Sequence, residues 1–238
     1  MSLASRIAAA HADTTDLASV GGNWAVVAGV PCSHVDLPMP WATSARVLAL
    51  PGPPPAAVVA EVAAWLAARS PQWTLFVRAE DVPVLDAYTV WERMPALGLV
   101  GPAASVPVPP GVTIGPAASP GEFLTAYGAE LAPTVTAAHL ASPRLHHLVA
   151  RSDGETIGCV RVRLLGDTAH LSAITVVPAW RGRGIGGALT TTASELGASY
   201  SDLVWLHCTD ASRPLYERLG YRHVDDHIQL IATPSEGG

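Results

Sequence analysis

The sequence predicts an α/β (α+β) protein of two domains, each a mixed and mostly antiparallel sheet flanked by helices. Three observations carry that prediction. The chain has 238 residues, enough for one large core or two of roughly 100 residues each. Near its middle, residues 101–111 are uncharged and rich in Pro and Gly, a composition that favours an extended linker over a helix or central strand. On both sides of that stretch the order helix, strand, helix, strand recurs, although no residue-level repeat accompanies it. The expected domains are therefore 1–100 and 112–238, joined by a linker at 101–111.

In the first half, a helix is expected from Leu3 to about Leu17, followed by strands over 24–30 and 45–50. Val58, Val62 and Trp65 share one helical face, 73–78 is strand-like, and Leu97, Gly98 and Leu99 precede the linker. In the second half, 112–114 reads as a short strand. Ser119-Pro120-Gly121-Glu122 then forms a capping box with proline at the first helical position, so a helix begins at Pro120. Residues 145–150 and 156–165 read as strands joined by a turn at Ser152-Asp153-Gly154-Glu155, with Val160, Val162 and Leu164 on one face, which makes a hairpin. A turn at Gly166-Asp167 leads to a third strand over 169–177. The spacing of Ile185, Leu189, Ala193 and Leu196 fits a helix. A strand over 203–208, a short helix over 213–219 stopped by Gly220, and strand pieces from 221 to 231 complete the half.

Hydrophobic residues make up 49% of the chain and charged ones 14%. That charge lies well below the roughly 25% of an average soluble protein, so much of the surface must be buried or face a partner. Apolar runs stay far short of the roughly 20 residues that cross a bilayer, and Glu61 interrupts the stretch over 58–68, so no membrane association is expected. After Arg6 the apolar run stops at His11, too short for the core of a secretory signal, and a cytoplasmic location follows. Cys32, Cys159 and Cys208 form no close pairs, so they are expected reduced, with no metal site. There is no lysine: all 14 basic residues are arginines, which together with abundant Ala, Pro and Gly points to a GC-rich genome. With a net charge of -6 and scattered arginines, nucleic acid is not an expected partner, whereas a cationic or amine substrate suits the charge.

The most informative segment runs from Val176 to Leu189, where a strand ends, a glycine-rich loop follows and a helix begins. Glycines let backbone approach a ligand closely, successive amides point into the loop, and a helix N-terminus adds partial positive charge, so the segment suits a pyrophosphate. Arg181 and Arg183 add formal charge. A tight strand-to-helix turn alone would not need three glycines and two arginines within the six residues Arg181, Gly182, Arg183, Gly184, Ile185 and Gly186.

Here the sequence resembles the GNAT superfamily of acyl-CoA-dependent N-acyltransferases. Arg181, Gly184 and Gly186 match its cofactor motif, and Leu215-Tyr216-Glu217-Arg218-Leu219-Gly220-Tyr221 resembles its second signature, so the likeness covers roughly 112–233. The resemblance implies two GNAT-like domains, an acetyl-CoA co-substrate, and acyl transfer to a small-molecule or peptide amine. It implies that the loop from Arg181 through Gly182, Arg183, Gly184, Ile185, Gly186 and Gly187 holds the CoA pyrophosphate. It further implies that Ile174, Thr175 and Val176 pair with the pantetheine arm, and that Tyr216 returns a proton to the departing thiolate. Thr209 stands where the family often has an Asn that contacts the cofactor. The first half is expected to be a degenerate copy without a cofactor site, because Pro51-Gly52-Pro53-Pro54-Pro55 occupies the corresponding loop and proline has no amide to donate. A homo-oligomer is compatible with the sequence.

Family members that carry a glutamate base would place it near Ser172 or Val204, and neither is acidic. His170, His207 or Asp210 could serve through water, or a neutral amine could dispense with a base. Arg161 and Arg163 lie on one face of their strand, where a solvated face or an interdomain contact is the favoured reading over steering of substrate. Two rival readings stand beside acyl transfer. Gly182, Gly184 and Gly187 satisfy a dinucleotide fingerprint with Asp210 beyond the next strand, but Pro178-Ala179-Trp180-Arg181 separates the strand from the first glycine, which a Rossmann turn does not allow. The other rival is a non-catalytic acyl-CoA sensor.

Overall fold

The computed structural model describes residues 1–13 and 23–232. In chain order these form α1 (Leu3–Ala12), β1 (Asn23–Val27), β2 (Val30–His34), β3 (Thr43–Arg46), α2 (Ala56–Ala67), β4 (Thr74–Arg78) and β5 (Tyr88–Val100). There follow β6 (Val112–Pro116), α3 (Pro120–Tyr127), α4 (Ala137–Ala141), β7 (Leu145–Ser152), β8 (Glu155–Leu165), β9 (Thr168–Val176), α5 (Ile185–Ala198), β10 (Leu203–His207), α6 (Arg213–Arg218) and β11 (Arg222–Ala232). Two compact units result, one of residues 1–95 with 225–238 and one of residues 96–224, so β5 and β11 each contribute to both.

In the first unit, β1 and β2 form an antiparallel hairpin, β2 pairs antiparallel with β3, β3 runs parallel to β4, and β4 takes β11 as its antiparallel neighbour. The single strand expected over 24–30 is two strands. Ala28 and Gly29 take positive φ (47° and 82°), the two-residue turn that matches strand twist. The strand expected over 45–50 stops at Arg46, because Val47 and Leu48 are both buried in a 3-10 turn where alternation would have exposed one of them. Helix α1 ends at Ala12; residues 14–17 of the expected helix lie outside the described residues. On α2 the fully buried ridge is Val59, Val62 and Leu66, rotated from the expected Val58, Val62 and Trp65. That ridge packs with Leu75, Val77, Ile228 and Leu230, so the C-terminal strand completes this core.

In the second unit the strand order is β5-β10-β9-β8-β7-β6, with β9 and β10 parallel and the other pairs antiparallel. This mixed meander is not the open parallel sheet that the dinucleotide reading requires. One face packs against α5 and α6 through Val160, Val162, Leu171, Val204 and Leu206 with Ile185, Leu189, Ala193 and Tyr216. The other is covered by α3, where Phe123 and Ala126 meet Val149 and Cys159. The predicted cap is present: Ser119 Oγ accepts from Glu122 N at 3.1 Å. The Glu122 carboxylate instead accepts from Ala118 N and from Arg151 Nε, each at 2.6 Å.

Residues 101–111 do not separate the two units. They lie inside the second: Ala104 N donates to Leu219 O (2.9 Å), Thr191 Oγ1 donates to Ala104 O (3.2 Å), and Val106 covers Gly187 on α5. An extended, proline-stiffened segment reads as a linker by composition, but its apolar side chains give it a helix face to lie on. The division falls earlier, within β5, where Leu97 and Leu99 are buried and pair across to Leu206 and Val204.

Candidate active site

Strand β9 organises the site. Its parallel pairing with β10 covers Ala169 to Leu171 only, although β9 continues to Val176. From Ser172 onward its pairing is with β8 alone, so a second row of backbone groups lines an opening between β9 and β10. An irregularity sits at that point: the β8 register slips between Cys159 and Arg161, leaving an extra residue on β9, and Ala173 has φ 54°. The sharp approach of the two strands there requires glycine on β8, since a Cβ on Gly158 would stand 2.9 Å from Thr175 O. Ile174, Thr175 and Val176 are each half-buried along this edge, in agreement with a strand that a ligand arm could join.

Beyond β9 the chain makes a 3-10 turn at Pro178–Trp180 and enters the glycine loop. Arg181 Nε donates to Val176 O at 3.0 Å and Arg183 donates to Ala179 O at 3.3 Å, with the Arg183 guanidinium 4.7 Å from the Trp180 ring centre. Both arginines stay exposed, as do Gly182 and Gly184. Gly184 is the N-cap of α5 at φ 81°, and a Cβ there would meet only Pro109 at 4.0 Å, so the space above it is open. The first amides of α5, those of Ile185, Gly186 and Gly187, have no intrahelical acceptor and point out of the helix end. Ile185 anchors the turn in the core, whereas Gly187 is buried beneath Val106. Open backbone, unclaimed donors and two arginines fit a diphosphate.

Tyr216 on α6 is 6% exposed, its ring 6.2 Å from that of Tyr221. Burial, and then the neighbouring Cys208, push its phenol up to about 12. It therefore keeps its proton at neutral pH and is available as a donor. Thr209, expected to touch the cofactor, is exposed and exchanges hydrogen bonds with Ser212 at the entry to α6, Oγ1 to Oγ at 3.1 Å. Of the other sequence candidates, Val204 is core. His170, Ser172 and His207 fall on the sheet face opposite α5, and Asp210 is exposed in the loop beyond β10. Arg161 is anchored rather than steering: Nε donates to His147 Nε2 (3.0 Å), a second nitrogen donates to Thr134 O (3.0 Å), and the guanidinium packs on the rings of Phe123 and Tyr127. Sequence reasoning missed His147, whose pairing with Arg161 depends on hairpin register, and Cys208 beside Tyr216, which depends on how α6 packs back near the end of β10. Among the described residues no group of three or more His, Cys, Asp or Glu is placed to hold a metal ion, and no helix is long and apolar enough to cross a membrane.

Comparison with known proteins places this mixed sheet, open beside a glycine-lined helix entry, among similar folds. Residues 143–223 match the acetyltransferase (GNAT) domain model. A mycothiol acetyltransferase of Nocardia farcinica (strain IFM 10152) is 38% identical over 93 residues, which are 37% of this chain and 30% of that protein's length. The solved GCN5-related N-acetyltransferase from Kribbella flavida superposes with a TM-score of 0.72 over 100% of this chain and 97% of its own, at 18% identity. A tandem GNAT protein from the clavulanic acid biosynthesis pathway gives a TM-score of 0.57 over 87% of this chain and 79% of its own, at 17% identity. The chain thus has the fold of two GNAT-like domains.

Proposed function

We propose that the protein transfers an acetyl group from acetyl-CoA to a small-molecule or peptide amine, using a single cofactor site in the second unit. The observation that carries this reading is the continuity of the β9 edge with the Gly182–Gly184 loop and the α5 N-terminus: a pantetheine arm and a diphosphate need those two features end to end. Arg181, Gly182, Arg183, Gly184, Ile185 and Gly186 would hold the phosphates, while Ile174, Thr175 and Val176 would pair with the arm. Tyr216 would donate a hydrogen bond to sulfur as the thioester breaks. A phenol at about 12 is a weaker acid than an ordinary thiol, so its work is to stabilise the thiolate rather than to surrender its proton downhill. In the first unit the loop before α2 presents Pro53, Pro54 and Pro55, which have no amide hydrogen, and α2 starts without a side-chain cap.

Calorimetry with acetyl-CoA should therefore give one site per chain. A screen of amines, aminoglycosides and peptide N-termini, followed by free-thiol release, tests the transfer. Two sites per chain would overturn the assignment of the first unit. Binding without thiol release on any acceptor would make the protein an acyl-CoA sensor.

A further inference from the structure

The glutamate positions of the family are filled by Ser172 and Val204, so any proton acceptor for the amine has to come from elsewhere in the opening between β9 and β10. Pairing of these strands ends at Leu171 with Leu206. The next residue on each strand is Ser172 and His207, and these two flank the start of the opening. Alternation places both on the face opposite α5. The α5 face is filled by Ile185, Leu189, Leu206 and Tyr216, which leaves the side of Ser172 and His207 for an acceptor.

Of the ionisable side chains near this point, His170 is ruled out by its surroundings. It is 6% exposed, lies on Trp205 with ring centres 4.1 Å apart and planes at 29°, and has Arg163 3.4 Å from Nδ1, so its ring is taken up by these neighbours. Asp210 is a solvated carboxylate beyond the end of β10. His207 is half-buried and stands edge-on to Trp205, with ring centres 5.3 Å apart and planes at 89°. The His170 ring lies 5.8 Å away. Trp205 and His170 thus form a wall that holds the His207 imidazole at the mouth. His170 on β9, with Arg163 behind it on β8, is an ionisable neighbour of this ring, and the register partner of His207 on β5 is Ala96.

Resting on the acyltransfer reading, we propose that His207 is the general base, drawing the proton from the acceptor amine directly or through one water. The amine nitrogen forms the C–N bond at the thioester carbonyl and the C–S bond breaks. The thiolate is stabilised by the Tyr216 hydroxyl and protonated from solvent, and the imidazolium returns its proton to solvent.

The test compares wild type with His207→Gln and His207→Ala across the pH range, reading acetyl-CoA affinity by calorimetry and thiol release with an accepted amine. Retained affinity, a fall of roughly 10²-fold or more in kcat/KM, loss of the rising acid limb of the pH profile and partial rescue of His207→Ala by added imidazole are expected. Wild-type rates with an unchanged pH profile in both variants would overturn the role of His207 while leaving acyl transfer intact. Lowered turnover with the pH limb kept and no rescue by imidazole would make His207 structural. A wild type that binds acetyl-CoA but releases no thiol would remove the acyltransfer reading and this inference together.

Discussion

Thr191 donates its hydroxyl to the carbonyl of Ala104, 3.2 Å away, and so ties the middle of α5 to a segment that looks like a linker by composition. Two residues of α5 and its N-cap stand over that segment in turn: Thr191 at Ala104, Gly187 at Val106 and Gly184 at Pro109. The helix that opens the candidate cofactor site is thereby supported along its outer side.

A fragment starting at residue 111 lacks this segment and also the Ala96–Val100 part of β5, where Leu97 and Leu99 are buried. Losing two such leucines costs roughly 2–5 kcal/mol each, comparable to the whole stability of a domain. The fragment should be insoluble or unfolded by circular dichroism, whereas one starting at residue 96 keeps both features. A folded, active fragment from 111 would remove the support attributed to the segment.

Gly184→Val should weaken acetyl-CoA binding at least tenfold, about 1.4 kcal/mol. A β-branched residue is strained at φ 81°, and its side chain would enter the open space where a diphosphate approaches. Gly186→Ala should be tolerated, because a Cβ there meets Val176 and Leu215 only at 3.7 and 3.8 Å. Equal affinities for the two variants and wild type by calorimetry would remove the cradle.

Tyr216→Phe keeps the packed ring and removes the donor. Cofactor affinity should hold while turnover falls by roughly 10²-fold. Since burial holds the phenol near 12, the wild-type profile should show no loss of activity from Tyr216 ionisation up to about pH 10. Wild-type turnover in the variant would leave Tyr216 as a packing residue.

Stability should fall with acid between pH 6.5 and about 4. Burial, and then the Arg161 charge, lower His147 to about 3, and burial chiefly lowers His227 to about 4. Between the unfolded value and these folded values the unfolded chain binds more protons, so stability is full above pH 6.5 and declines as pH drops. At pH 5 each histidine accounts for about 2 kcal/mol of that loss. His147→Gln keeps an acceptor for Arg161 without a titrating group, so its Tm should drop less from pH 7 to pH 5 than that of the wild type. Parallel Tm curves would refute the assignment.

Local chemistry was legible in the sequence because it depends on residues close together in the chain. The helix entry at Ile185, the glycine-rich turn before it, the arginines around it and the Ser119 cap follow from short-range geometry, whereas Tyr216 was singled out only through the family resemblance. Hairpins over 145–165 and the strand before the loop were legible for the same reason, through alternation and turn residues. Tertiary structure alone decided which strands became neighbours: Leu97 against Leu206, Leu75 against Leu230, and the early parting of β9 from β10 that opens the site. Periodicity reports which face of a strand is apolar and carries no information about its partner. The same holds for residues 101–111, whose composition describes an extended chain, while only the uncovered side of α5 gives that chain a place to lie.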